Sequence, residues 1–199
     1  MSEHKGFYIR TFTGRRYYPA DPRAEDISLE DIAHHLSMLC RFTGAVSRFY
    51  SVAEHSVLVS KVVPPEHAFA GLMHDAVEAY LGDVSRPVKQ MLPDYKALEA
   101  INWKVMAERF GLPYKLPPCI KEADIAVYYA ERAELMPPGD VAADSALTRT
   151  IPESVFIEPA KVEVQALRGA TAEITFLERL REIAPDVFYN DYIANRRRV

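Results

Sequence analysis

The chain has 199 residues, a formal net charge of −4, 49% hydrophobic and 26% charged residues. That is the length of one medium domain able to bury a core, and the negative balance excludes an overall basic field for nucleic acid. No apolar run approaches the roughly 20 residues of a membrane span, and the polar, aromatic start is not a signal peptide. Cys40 and Cys119 stand alone, outside any Cys-x-x-Cys pair. A structural zinc knuckle is therefore unsupported, and two isolated thiols suit buried filler in a reducing compartment. The expectation is a cytoplasmic protein with no membrane or nucleic-acid partner.

In chain order, residues 7–18 alternate loosely around Thr13-Gly14, which predicts a short hairpin. With its lead-in it forms an N-terminal piece, 1–27, ahead of one helical domain, 28–199. Leu29, Ile32, Ala33, Leu36, Leu39 and Cys40 recur at helical spacing and predict a first helix over about 28–41. Ser51-Val-Ala-Glu54 is a capping box opening a second helix. A third helix is expected from Pro64-Pro65 to Gly82, a fourth from Pro93 to Gly111, and a fifth from Pro117-Pro118 to about Leu135. Residues 136–159 are proline-rich with little periodicity and read as a long loop or lid. A sixth helix follows over about 161–183, and the chain closes on the basic run Asn195-Arg-Arg-Arg-Val199. The fold class is all-α with a short N-terminal β-hairpin.

Polar residues inside apolar helices carry the chemistry. His74-Asp75 lies in Gly71-Leu-Met-His-Asp-Ala-Val-Glu-Ala-Tyr80, where an adjacent imidazole and carboxylate have no packing use. His55 lies in Val52-Ala-Glu-His-Ser-Val-Leu58, and Asp124 in Ile120-Lys-Glu-Ala-Asp-Ile-Ala126. Burying such groups is costly unless something compensates, and a divalent cation compensates for both kinds. His55, His74, Asp75 and Asp124, on three helices, read as one metal site. Imidazole with carboxylate suits Mn, Fe, Co, Ni, Zn or Mg, and four protein ligands leave positions for water and a substrate oxygen.

Glu78, one turn beyond His74, faces the same way and is the candidate proton carrier. Arg41 closes the first helix, where it either complements the helix dipole or grips phosphate with its planar fork. Phe42 is either core or a base-stacking ring. Arg86 and Lys89 flank Pro87 in a loop beyond the metal helix, and are either ordinary exposed loop cations or groups that close on the same phosphates. His34 falls near the Arg41 stripe of the first helix, and it reads as solvated or hydrogen-bonded, not as a ligand.

The pattern resembles the HD-domain phosphohydrolase superfamily over about residues 30–135, with His55 as its first histidine, His74-Asp75 as its namesake pair and Asp124 as its last aspartate. No histidine follows His74, so the extra ligands of the two-metal branches are missing. Arg41-Phe42, Glu78, Gly82-Asp83 and Pro87-Val88-Lys89 are similar to the bacterial 5′-deoxynucleotidases, and more closely to the phage dATP triphosphohydrolases. The resemblance implies one divalent ion, an HD-type helical bundle and a homo-oligomer. It implies a deoxynucleoside phosphate substrate, a triphosphate such as dATP first and a 5′-monophosphate second. It also implies that Asp83 orients water or touches the sugar; without it, Asp83 is a turn residue after glycine. A regulator that binds nucleotide without chemistry would lack a ligand or the proton carrier, and neither is lacking here.

Overall fold

Every residue from 52 to 60 is buried, including Glu54, His55, Ser56 and Ser60, so one helix runs through the centre of the molecule. The computed structural model describes residues 4–137, 139 and 157–193. A two-stranded antiparallel hairpin, β1 (Ile9–Arg10) and β2 (Arg16–Tyr17), pairs Ile9 with Tyr17 and Arg10 with Arg16. There follow α1 (Leu29–Met38), α2 (Val52–Val62), α3 (Ala68–Met73), α4 (Glu78–Leu81), α5 (Arg86–Gln90), α6 (Pro93–Phe110), α7 (Pro118–Leu135) and α8 (Gly169–Ile183). Short helical turns over 185–193 close the described chain. No described helix is long and apolar enough to cross a membrane.

Central α2 packs against α1, α3, α7 and α8, as a helix buried on all sides must. Its approach to α3 is close. A Cβ on Gly71 would stand 3.0 Å from Val63 Cγ2 and 3.3 Å from Ser60 Cα, so any side chain before Leu72 would have to push these neighbours aside. The hairpin is fastened to α1 by buried Asp31, which accepts from Thr13 N–H at 2.7 Å and Thr13 Oγ1 at 2.9 Å. Tyr17 stacks on Tyr80 with centroids 3.9 Å apart, which joins β2 to α4.

Four features differ from the sequence expectations. First, α1 ends at Met38, not Arg41. The backbone of 39–41 turns extended and pairs with 50–52, through Arg41 N–H to Tyr50 O at 2.9 Å and Val52 N–H to Leu39 O at 3.1 Å. The apolar period runs on through Leu39 and Cys40, but a long-range bridge takes their backbone. Arg41 is thus off the helix, and the dipole reading of it falls.

Second, the expected helix 64–82 is divided into a 3-10 turn Pro65–His67, α3 and α4. Between α3 and α4 the bonds tighten to three-residue spacing, with Ala76 N–H to Met73 O at 3.0 Å and Glu78 N–H to Asp75 O at 2.9 Å. The segment ends at Gly82 with φ +83°. A tightened stretch inside a helix often marks a working site, and this one carries His74-Asp75.

Third, Arg86 and Lys89 are not in a loop: they belong to α5, with Pro87 in its first turn.

Fourth, the last long helix begins at Gly169 and not near 161. Residues 157–168 are non-helical, and the N–H groups of Ala160 and of 165–167 are taken by distant acceptors, Ala160 by Ala126 O at 2.9 Å. Glu54 accepts from Gln165 and Ala166 at 2.9 and 3.0 Å through Oε1, and from Leu167 at 2.7 Å through Oε2. Ser51 does cap α2, its side chain accepting from Glu54 N–H at 3.2 Å, yet the Glu54 carboxylate serves this distant strand of chain. The expected lid, 136–159, and the basic run 195–199 lie largely or wholly outside the described residues.

Candidate metal centre

Three elements bring the ligating atoms together. His55 comes from the first turn of α2, His74 and Asp75 from the tightened turn after α3, and Asp124 from α7. One donor atom each from His55, His74 and Asp124 lies within 4.8 Å of the others. Asp75 Oδ2 stands beside both imidazoles, 3.2 Å from His74 Nε2 and 3.7 Å from His55 Nε2. Asp124 Oδ1 is 3.2 Å from His55 Nε2.

The tautomers are fixed from behind. His55 Nδ1 is 2.6 Å from Glu131 Oε1, and His74 Nδ1 donates to Gly71 O at 2.8 Å. Both Nε2 atoms therefore aim into the site, and both are buried without a hydrogen-bond partner. Lone pairs of nitrogen and carboxylate oxygen face one another, an arrangement that calls for a positive charge between them. The group could hold a metal ion, and its donor chemistry fits one.

The charges agree. Burial pushes the Asp75 and Asp124 carboxyls up, but the imidazoles of His74 and His55 outweigh it and hold both below the usual carboxylate range. Burial and the Arg41 guanidinium push His55 down, yet Glu131 and Asp124 raise it to about 9. Without a metal the site thus draws a proton into the place a cation would take, and the two compete.

Two of the ligands, Asp75 and Asp124, line a cavity of about 480 Å³ together with Arg41, Phe42, Glu78, Asp83, Arg86 and Lys89. A larger groove of about 720 Å³, along Ala130, Glu134 and 161–164, contains none of these groups. Glu78 is buried, with Oε2 unpartnered and Oε1 3.6 Å from Lys89 Nζ. Burial, followed by the charges of Asp75 and Asp83, raises its pKa well above the ordinary glutamate value. Burial likewise raises Asp83.

Lys89 is not free for an incoming anion alone, since its ammonium binds Glu99 at 2.7 Å. Arg41 is also engaged: Nε and Nη2 lie 3.2 and 3.1 Å from Glu131 Oε2, and Nη1 lies 3.9 Å from Asp75 Oδ2. Phe42 stacks on Tyr128 at 5.6 Å, making an aromatic wall to which Tyr129 adds. Phe42 and Thr43 both have positive φ, +57° and +54°. Consecutive left-handed residues that are not glycine are strained, and such strain collects at functional sites.

His34 is elsewhere, stacked on Phe12 and 2.9 Å from Glu173, and His35 Nδ1 donates to Ala79 O at 2.6 Å. The residue that sequence reasoning missed is Glu131. It looks like part of a solvated helix face, but it stands seven residues from Asp124, two turns along the same face of α7. That spacing was the available signal.

Fold and site together define an α-helical protein with a histidine–aspartate cluster able to hold a metal ion. No family model matches the chain. It is 46% identical over 128 residues to the uncharacterized protein YfdR of Escherichia coli (strain K12), a stretch that spans 64% of this chain and 72% of that one. It therefore belongs to the same family as YfdR. A second relative, the uncharacterized protein RCAP_rcc00048 of Rhodobacter capsulatus, is 40% identical over 129 residues, 60% of this chain and 66% of its own length.

Proposed function

We propose that the chain is an HD-type, metal-dependent phosphohydrolase acting on deoxynucleoside phosphates. The observation that carries this reading is the pair of buried, unpartnered Nε2 atoms of His55 and His74 facing Asp75 and Asp124, beside a cavity that Arg41, Arg86, Lys89 and Lys121 also line. A divalent ion held by His55, His74, Asp75 and Asp124 supplies polarisation of a phosphoryl oxygen and a more acidic water. Glu78 keeps a proton to unusually high pH and delivers it to the leaving oxygen. Arg86 is exposed at the cavity mouth and draws the phosphate in, and Arg41 neutralises charge deeper inside. The Phe42–Tyr128 wall takes the base, and Asp83 orients water or the sugar.

A triphosphate of the dATP kind is the first substrate of this reading. A 5′-monophosphate is the second, and one observation favours it. Arg41 and Lys89 already have carboxylate partners in Glu131 and Glu99, which leaves less free positive charge than a triphosphate tail calls for. A screen of deoxy- and ribonucleoside mono-, di- and triphosphates with Mn, Co, Mg and Zn tests the proposal. Release of triphosphate, pyrophosphate or phosphate identifies the reaction, and no turnover with any pair refutes it. The proposed setting is the cytoplasm, and the resemblance carries an expectation of a homo-oligomer, which light scattering decides.

A further inference from the structure

Glu131 is fully buried on α7, and donors from three separate segments converge on it. Its Oε1 lies 2.6 Å from His55 Nδ1 and accepts the Tyr50 hydroxyl at 2.7 Å. Its Oε2 accepts Arg41 Nε at 3.2 Å and lies 3.1 Å from Arg41 Nη2. A carboxylate is the one side chain that offers acceptors on both sides and a charge for the guanidinium.

We propose that Glu131 is a positioning residue that orients two working side chains at once. Through Oε1 it keeps a proton on His55 Nδ1 and turns Nε2 toward the cation. Through Oε2 it fixes Arg41 against the cavity wall. One consequence concerns the anion. Nε and one face of Nη2 are committed to Glu131, so Arg41 meets an oxyanion with its Nη1 side. That side lies nearest Asp75, at 3.9 Å, which puts the bound anion next to the metal ligands. The inference rests on the metal centre and not on nucleotide hydrolysis.

The test is Co²⁺ affinity of the full chain, read by visible absorption and referred to the folded fraction. The amide in Glu131→Gln has a single acceptor oxygen. Turned with its NH₂ toward Arg41, it sets donor against donor. Turned the other way, it favours the His55 tautomer whose proton occupies Nε2. The second orientation leaves the guanidinium its acceptor and is the favoured one, and it should weaken Co²⁺ by about ten- to a hundredfold, the usual effect of losing a ligand's outer partner. Tyr50→Phe removes another donor from the same oxygen and leaves the His55 contact, so its affinity should stay within about threefold of the parent.

A residue that only holds the fold would lower the thermal midpoint of Glu131→Gln and leave Co²⁺ affinity per folded chain unchanged; that result overturns the proposal. Equal losses in Tyr50→Phe and Glu131→Gln overturn it too. If Glu131→Gln does not fold, Glu131→Asp keeps the charge but draws the carboxylate back by one methylene, and unchanged Co²⁺ affinity in that variant is again contrary. Because the readout is metal affinity, a chain that hydrolyses no nucleotide still decides this inference.

Discussion

Glu78→Gln should make the protein less active and more stable. The carboxyl is buried, one of its oxygens has no partner, and Asp75 and Asp83 repel its charge. Folding therefore raises its pKa. A group so raised contributes stability that is fully present below its unfolded pKa of about 4.5 and is lost as pH rises through the folded value. Above that range the ionised form is a strain on the fold, and glutamine removes it. Lys89 loses a partner at 3.6 Å but keeps Glu99 at 2.7 Å, so little is lost in return. Relief on the order of 1 kcal/mol corresponds to a rise of about 2–4 °C in Tm for a chain of this size. The gain should grow as pH rises above about 4.5 and fade below it. Turnover should fall by about a hundred- to ten-thousandfold, or roughly 2.7–5.4 kcal/mol of barrier, because the proton carrier is gone while bound metal stays. The assay is kcat on the best nucleotide, metal content and thermal melts at several pH values. Near-parental kcat would make Glu78 a bystander, and a lowered Tm at neutral pH would refute the electrostatic argument.

Two other substitutions test the fold and the cavity wall. Arg41→Ala leaves buried Glu131 without its cation, so stability should drop by about 3–5 kcal/mol in chemical denaturation; under saturating metal, nucleotide affinity should also fall about ten- to a hundredfold. Arg41→Lys should recover part of the stability and little of the affinity, since lysine restores charge without the planar fork. Gly71→Ala drives a methyl to 3.0 Å from Val63 and 3.3 Å from the Ser60 backbone, and a loss of about 1–3 kcal/mol in the same experiment is expected.

The helices that were legible in the sequence are those whose ends carry local chemistry. Ser51 opens α2, proline opens α6 and α7, and Gly82 closes α4. The ends that were not legible are set at long range. α1 stops where residues 39–41 pair with 50–52, and α8 starts late because Glu54, more than a hundred positions earlier, takes the N–H groups of 165–167. The candidate ligands stood out because an imidazole or carboxylate in an apolar helix is conspicuous. Glu131 did not, because Tyr-Ala-Glu-Arg reads as an ordinary solvated turn. Arg41, Lys89 and Asp83 were located beside the site, but their partners, Glu131, Glu99 and the buried cavity wall, depend on helix packing that periodicity does not encode.

The most direct test of the metal centre is the metal content of the purified chain after loading with Mn, Co, Ni or Zn and removal of free ion. The account predicts about one equivalent per chain, lost in Asp124→Ala and in Asp75→Ala while the helical circular dichroism is kept. A parent chain that retains no ion under any loading, or one whose ion survives in both variants, contradicts it.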